Sequence, residues 1–275
     1  MEGHQILTTT EAAALAGVAP TTLKRWADQG LLAFARTAGG HRRFQRGAVE
    51  RLVRELAQPR AEPSGAPAAD PPAEGWIRAM VAGPRHELEA RLLGARDRLG
   101  RWCHVGDEVA AALVELGRRW ACGELSIADE HVASGALMRA LGRIGDMLPS
   151  RGDGPVCLLA CADGDQHSLG LAMAELCVRE QGWTPLWLGP RTPVDEIVRL
   201  VADGRVRAVA LSASGFMDDP QALGALAGSA AGACRERGVG LALGGSGAWP
   251  TGVSYGDRLD SFAAFSTWLS SAGTR

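Results

Sequence analysis

Residues 155–170 read PVCLLACADGDQHSLG, an apolar run that ends abruptly in an acidic loop carrying one histidine. A run this short and this apolar, bounded by Gly and Pro, predicts a strand covered on both faces. The stretch after the loop, SLGLAMAELCVREQG, has helical spacing, so the loop falls where a strand gives way to a helix. The alternation then repeats. TPLWLG, VRAVALSAS and VGLALGG predict further strands, with VDEIVRLVADG and ALGALAGSAAGACRERG as helices between them. Such βαβα order predicts a parallel sheet with helices on both faces, an α/β Rossmann-like domain over residues 151–275. Ligands of these sheets bind beyond the carboxyl ends of the strands, which is where Asp165 and His167 lie. Taken alone, a histidine in such a loop is more often a capping or solvent-facing residue than a ligand.

Working back toward the N-terminus, DEVAAALVELGRRW and HVASGALMRALGRIGDML place apolar residues three and four apart. Four helices, at about 76–82, 85–100, 105–122 and 126–148, predict a four-helix bundle over residues 76–150. Before it, residues 58–75 (QPRAEPSGAPAADPPAEG) hold Pro, Ala and Gly without large apolar side chains, which predicts a flexible linker. Residues 1–57 then form a separate head, and the chain is multidomain.

Composition narrows the function. The 275 residues are 46% hydrophobic and 22% charged, an ordinary globular balance. No apolar stretch approaches the length of a membrane span, and MEGHQILTTTEAA is too polar for a signal peptide, so a cytoplasmic protein is expected. Six cysteines without a CxxC pair predict neither a disulfide framework nor a zinc ribbon. Residues 1–57 carry eight Lys/Arg against five Asp/Glu, a net of +3 in a chain of net −2. A basic head on an acidic body suits a polyanion bound at one end.

Within the head, TTTEAAALAGVAPTTLKRWADQGLL predicts two short helices around Gly17-Val18-Ala19. Thr9 or Thr10 is the expected first cap, and Pro20 opens the second helix. Leu15, Val18, Leu23 and Leu31 are the candidate core, and Trp26 reads as core rather than as a base-stacking residue. Gly39-Gly40 signals a hairpin turn that would gather Arg36, His41, Arg42 and Arg43 on a wing, with Phe44 turned inward. Thr21, Thr22, Lys24 and Arg25 on the second helix suit phosphate and base-edge contacts. TLKRWADQGLL followed by RTAGGHRRF resembles the winged helix-turn-helix of MerR-type regulators. That resemblance implies double-stranded operator DNA as partner and a dimer on a near-palindromic site. The family's usual C-terminal coiled-coil helix is missing, so oligomerisation falls to the body.

In the body, Asp165, His167 and Gly170 spell DxHxxG. A carboxylate two residues from an imidazole can take one ring N–H, which fixes the tautomer of a metal ligand. Ser212 and Ser214 end the third predicted strand, and Gly244 and Gly245 end the fourth. These pieces resemble the cobalamin-binding Rossmann domain, whose pattern is DxHxxG, then SxL, then GG. The resemblance implies cobalt bound from below by His167, and a nucleotide tail running toward the Ser and Gly-Gly region. Ser214 departs from the pattern, which has Leu or Thr there.

RRWACGELSIADEHVASG sets Trp120 ten residues before Glu130, with His131 next. This W-x9-EH pattern resembles the adenosylcobalamin-dependent photoreceptor repressors of the CarH/LitR type. It implies a bundle that caps the upper face of the cofactor, with Trp120 beside the adenosyl group and Glu130 and His131 holding it. Ile127 could complete the apolar wall. The resemblance further implies a light-responsive transcriptional repressor without enzymatic turnover, and a homotetramer in the dark. The residue after the Trp, a cobalt-capturing histidine in some of these photoreceptors, is Ala121 here. That leaves open a cobalamin-level or redox sensor without photochemistry. A corrinoid methyl carrier is the enzymatic alternative.

Overall fold

A three-residue strand and a threonine set up the head. β1 (Ile6–Thr8) runs directly into α1 (Thr9–Ala16). The Thr8 backbone N–H donates to Glu11 Oε2 at 2.8 Å, and the Glu11 N–H donates back to Thr8 Oγ1 at 3.3 Å. This reciprocal capping box makes Thr8 the first cap rather than Thr9 or Thr10, because only Thr8 has a glutamate three residues on. α2 (Pro20–Asp28), β2 (Phe34–Arg36), β3 (Arg42–Gln45) and α3 (Arg46–Ala57) follow. β3 pairs antiparallel with both β1 and β2, so the wing is a three-stranded sheet. Leu7, Leu23, Trp26, Leu32, Phe44 and Val49 form its buried core, with Leu15 and Val18 half-buried against it.

The computed structural model describes residues 5–16, 18, 20–28, 32–37, 40–57, 72–148, 152 and 154–272. Gly17, Ala19, Leu31, Gly39 and most of the predicted linker lie outside them.

Helices α4 (Pro72–Val81), α5 (Arg85–Leu99), α6 (Trp102–Cys122) and α7 (Ile127–Met147) come next. α4 starts inside the stretch read as linker, with Pro72 in its first turn, where a missing N–H costs nothing. Gly75 is buried there, and a Cβ on it would meet the Arg91 guanidinium of α5. α7 opens on a second capping box, Ser126 with Asp129.

The sheet follows with β4 (Val156–Cys161), α8 (Leu169–Glu180), β5 (Thr184–Gly189), α9 (Val194–Ala202), β6 (Val206–Ser212), α10 (Pro220–Arg237) and β7 (Gly240–Gly244). A short β8 (Asp257–Arg258) and α11 (Phe262–Ala272), neither evident in the sequence, complete it. α10 shows how locally these elements are specified. Asp219 caps its first N–H groups, Pro220 takes its first position, and Gly238 ends it at φ +65°.

All five strands are parallel, in the order β5-β4-β6-β7-β8. β4 therefore sits between its successor in the chain and β6, which makes its carboxyl end the topological switch point of the sheet. Leu158, Val209, Leu211, Leu241 and Leu243 are buried there, each contributing about 1.5–3 kcal/mol by leaving water.

By density of contacts the chain divides into two compact units. One comprises residues 1–71 and 113–131, the other residues 72–112 and 132–275. In the second, Asp107 of α6 accepts from the Phe262 and Ala263 N–H groups at 2.7 and 3.2 Å, so one helix caps the first turn of α11. In the first, Glu115 accepts from Arg118 and Arg119 at 2.8 and 2.9 Å. Arg118's hydrogen bond, more than burial opposes it, holds the Glu115 carboxyl down at about 2. A depressed carboxylate adds stability above its unfolded value, near 4.5, and that contribution is lost as pH falls toward 2. Glu115→Gln is expected to flatten the pH dependence of unfolding across that window, measured by urea melts at successive pH values. An unchanged slope contradicts the assignment.

Candidate functional site

At the switch point the loop after β4 holds Asp165 almost fully buried, 2% exposed, while His167 stands out in solvent. Asp165 Oδ1 lies 2.9 Å from His167 Nδ1 and accepts the His167 backbone N–H at 3.0 Å. The carboxylate therefore favours the proton on Nδ1 and leaves Nε2 as the basic nitrogen, the tautomer a metal requires. From the end of β6, Ser214 donates its N–H to Asp165 Oδ2 at 2.6 Å and its hydroxyl to Oδ1 at 3.0 Å. Burial by itself would raise the Asp165 carboxyl. The hydrogen bonds from His167 and Ser214 outweigh it and keep the group below the usual aspartate value. Ser214, which departs from the resembled pattern, thus buttresses the carboxylate.

Phe216 stacks on the His167 ring, with centroids 4.6 Å apart and planes inclined by 16°. Nothing in the sequence spacing marked it. Arg258, also missed, donates to the Leu243 and Gly245 carbonyls and so ties β8 to the end of β7.

The glycines differ in what they do. A Cβ on Gly170 would lie 3.7 Å from Ser212 Oγ, and one on Gly244 would lie 3.9 Å from the Leu211 carbonyl, both ordinary contacts. These positions leave room beside Ser212 that the protein's own packing does not demand. Gly245 is another matter. Its φ is +85°, and a Cβ would fall 2.1 Å from the Ala213 carbonyl, so the crossing of two loops requires glycine there. A half-exposed imidazole of fixed tautomer can ligate a metal, and the unencumbered backbone at the neighbouring strand ends leaves room for a large cofactor such as a corrinoid. His167 would hold the cobalt, and Gly170, Ser212 and Gly244 would line the tail's course.

In the other unit, Trp120 is half-buried near the end of α6. Ile127 is 52% exposed at the start of α7, and Glu130 follows one turn later. Glu130 Oε2 lies 2.6 Å from His131 Nδ1, so the structure pairs the two residues with each other.

The head's basic groups converge. Lys24, Gly40, His41, Arg42 and Arg43 line a recess of about 640 Å³ together with Thr8, Thr9 and Thr10. Arg42 donates to the Lys24 carbonyl at 3.0 Å, which links the wing to α2. Arg36 and Arg42 both lie over the Phe34 ring, at 5.5 and 4.8 Å. The ring thus holds both cations at the wing beside His41 and Arg43. The side chains of Thr21, Thr22 and Arg25 lie outside the described residues.

Residues 6–57 match the model of a helix-turn-helix domain, and residues 73–144 match that of a B12 binding domain. A helix-turn-helix head joined to a body whose helices match a B12 binding domain is therefore the class that fold and sequence define. The chain is homologous to two HTH-type transcriptional repressors of Myxococcus xanthus. It is 31% identical to CarH over 148 residues (52% of this chain, 49% of that protein). It is 35% identical to CarA over 100 residues (36% and 33%). The chain thus aligns with about half and a third of the lengths of these relatives. In fold it is similar to the monomethylamine corrinoid protein of Methanosarcina barkeri, with a TM-score of 0.54 at 15% identity, over 72% of this chain and 94% of that one. Among the described residues no helix is long and apolar enough to cross a membrane.

Two glycine substitutions separate ligand room from loop packing. Gly245→Ala is expected to destabilise the chain without any ligand, by about 1–3 kcal/mol from backbone strain alone. Gly170→Ala is expected to melt like the parent and to bind cobalamin at least tenfold more weakly. Thermal melts and cobalamin titrations check both, and equal melting of the two variants would refute the distinction.

Proposed function

We propose that this protein is a B12-dependent transcriptional repressor that binds operator DNA as an adenosylcobalamin-loaded oligomer and lets it go in the light. The observation that carries the reading is the buried Asp165, held by Ser214, presenting His167 at the switch point of a chain that also bears a basic winged head. When bound, adenosylcobalamin would supply a light-sensitive Co–C bond. The protein's part is to bind, orient and respond. Asp165 would hold His167 with Nε2 free to take the cobalt, and Gly170, Ser212 and Gly244 would leave space for the tail. By resemblance, Trp120, Ile127, Glu130 and His131 answer to the adenosyl group, whose loss removes whatever they gain from contact with it. An oligomer joining several heads binds DNA far more tightly than one head, so a light-driven fall to smaller species releases DNA. No turnover is proposed.

A second reading rests on Ala121. The position after Trp120 carries a methyl group, 4% exposed, and offers no imidazole to a metal. A sensor of cobalamin level, without photochemistry, needs none.

Size-exclusion chromatography of the loaded protein, before and after green illumination, distinguishes the two. The repressor reading predicts a large dark species that retains duplex DNA and a smaller, DNA-free species after light. A response to cobalamin addition but not to light selects the level sensor, and indifference to both contradicts the proposal.

A further inference from the structure

The core of the head is closed by a residue from outside the head. Ala121, the last residue but one of α6, is 4% exposed and packs in the same apolar cluster as Leu23, Phe44 and Val49. The indole Nε1–H of Trp26 donates to the Ala121 carbonyl oxygen. Each group answers a need of the other. Trp26 is 1% exposed, so water cannot meet its single donor, and an unmet buried donor is costly. The last four carbonyls of a helix lack intrahelical donors, and that of Ala121 is among them. Its neighbours are served by the turn that follows: the Gly123 N–H reaches the Trp120 carbonyl at 3.1 Å, and the Glu124 N–H reaches that of Arg119 at 2.9 Å. The Ala121 carbonyl is met by Trp26.

We propose that the C-terminal end of α6 is a docking seat for the back of α2, the helix that carries the head's DNA-contact residues. Leu23, Trp26 and Ala27, at i, i+3 and i+4, form the buried face of α2, while Lys24 is exposed. Arg36 and His41 on the wing are exposed as well. The seat thus grips the head by the side away from its basic surface and leaves that surface open. A methyl group fits at position 121, whereas a longer side chain would have to enter a close-packed core. The seat is also braced, since Arg118 joins Glu115 to Glu124 across the helix end at 2.8 and 3.4 Å. One consequence rests on the proposed function. If Trp120 answers to the cofactor, a change at the end of α6 reaches α2 through the adjacent residue.

The test uses the full chain with ¹⁵N-labelled tryptophan. The Trp26 indole signal is the one that disappears in Trp26→Phe, which keeps a ring in the core and removes the donor. In the parent its solvent exchange is expected to be slow. Ala121→Gln, which overfills the seat, is expected to speed that exchange at least about fivefold, equivalent to about 1 kcal/mol or one net hydrogen bond. Ala121→Gly, which only deletes the methyl, should give a smaller change in the same direction and guards against misfolding of the larger variant. Ala111→Gln, at an exposed position on α6, should leave it unchanged. Exchange at Trp26 that ignores both Ala121 variants overturns the seat, whatever cobalamin does. A signal that answers to Ala121 but not to adenosylcobalamin loading or light upholds the seat and counts against the sensor reading.

Discussion

One buried carboxylate organises the loop at the switch point of the sheet. Asp165 is the point on which the loop after β4, the end of β6 and the imidazole of His167 all converge. A charge so buried is tolerable only when its lone pairs are filled, and here His167 and Ser214 fill them. The same bonds that stabilise the carboxylate fix the orientation and tautomer of the histidine. Stability of the loop and orientation of the imidazole are therefore a single property. The sheet supplies the place: with β5 on one side of β4 and β6 on the other, the loop opens into the crevice at the switch point.

The sequence made the alternating elements and the DxHxxG loop legible because both are local. Buried parallel strands advertise themselves as short apolar runs, and a carboxylate two residues from a histidine is read off directly. The wing was readable for the same reason, since Gly40 and the flanking arginines lie within a few residues of one another. β8 escaped because two polar residues carry no periodicity. The Thr8 cap was displaced by one residue because three threonines in a row offer the same hydroxyl, and only Glu11 breaks the tie. What spacing could not reveal was contact between distant segments. Ser214 meets Asp165 across 49 residues, Phe216 covers His167 from the same loop, and Trp26 meets Ala121 across 95.

Two departures from the resembled patterns turn out to have work inside the fold. Ser214 places a donor where a Leu would place only bulk, and it spends that donor on Asp165. Ala121 places a methyl group in the head's apolar cluster, where a longer side chain would have to enter a close-packed core. Gly245 teaches the complementary lesson. It belongs to the Gly-Gly pair of the pattern, yet the crossing of its loop over Ala213 is sufficient reason for it. Packing alone thus accounts for Gly245, whereas it makes no such demand at Gly170 or Gly244.

The central claim is that Nε2 of His167 binds the cobalt, and isotopic labelling of histidine tests it directly. In the protein loaded with Co(II) cobalamin, an axial nitrogen splits the electron paramagnetic resonance lines according to its nuclear spin. Protein grown with ¹⁵N-histidine should show doublets in place of the triplets seen with natural histidine, and His167→Ala should lose the protein-derived splitting altogether. Triplets that persist in the labelled protein would mean that the cofactor has kept its own base, and would contradict the account.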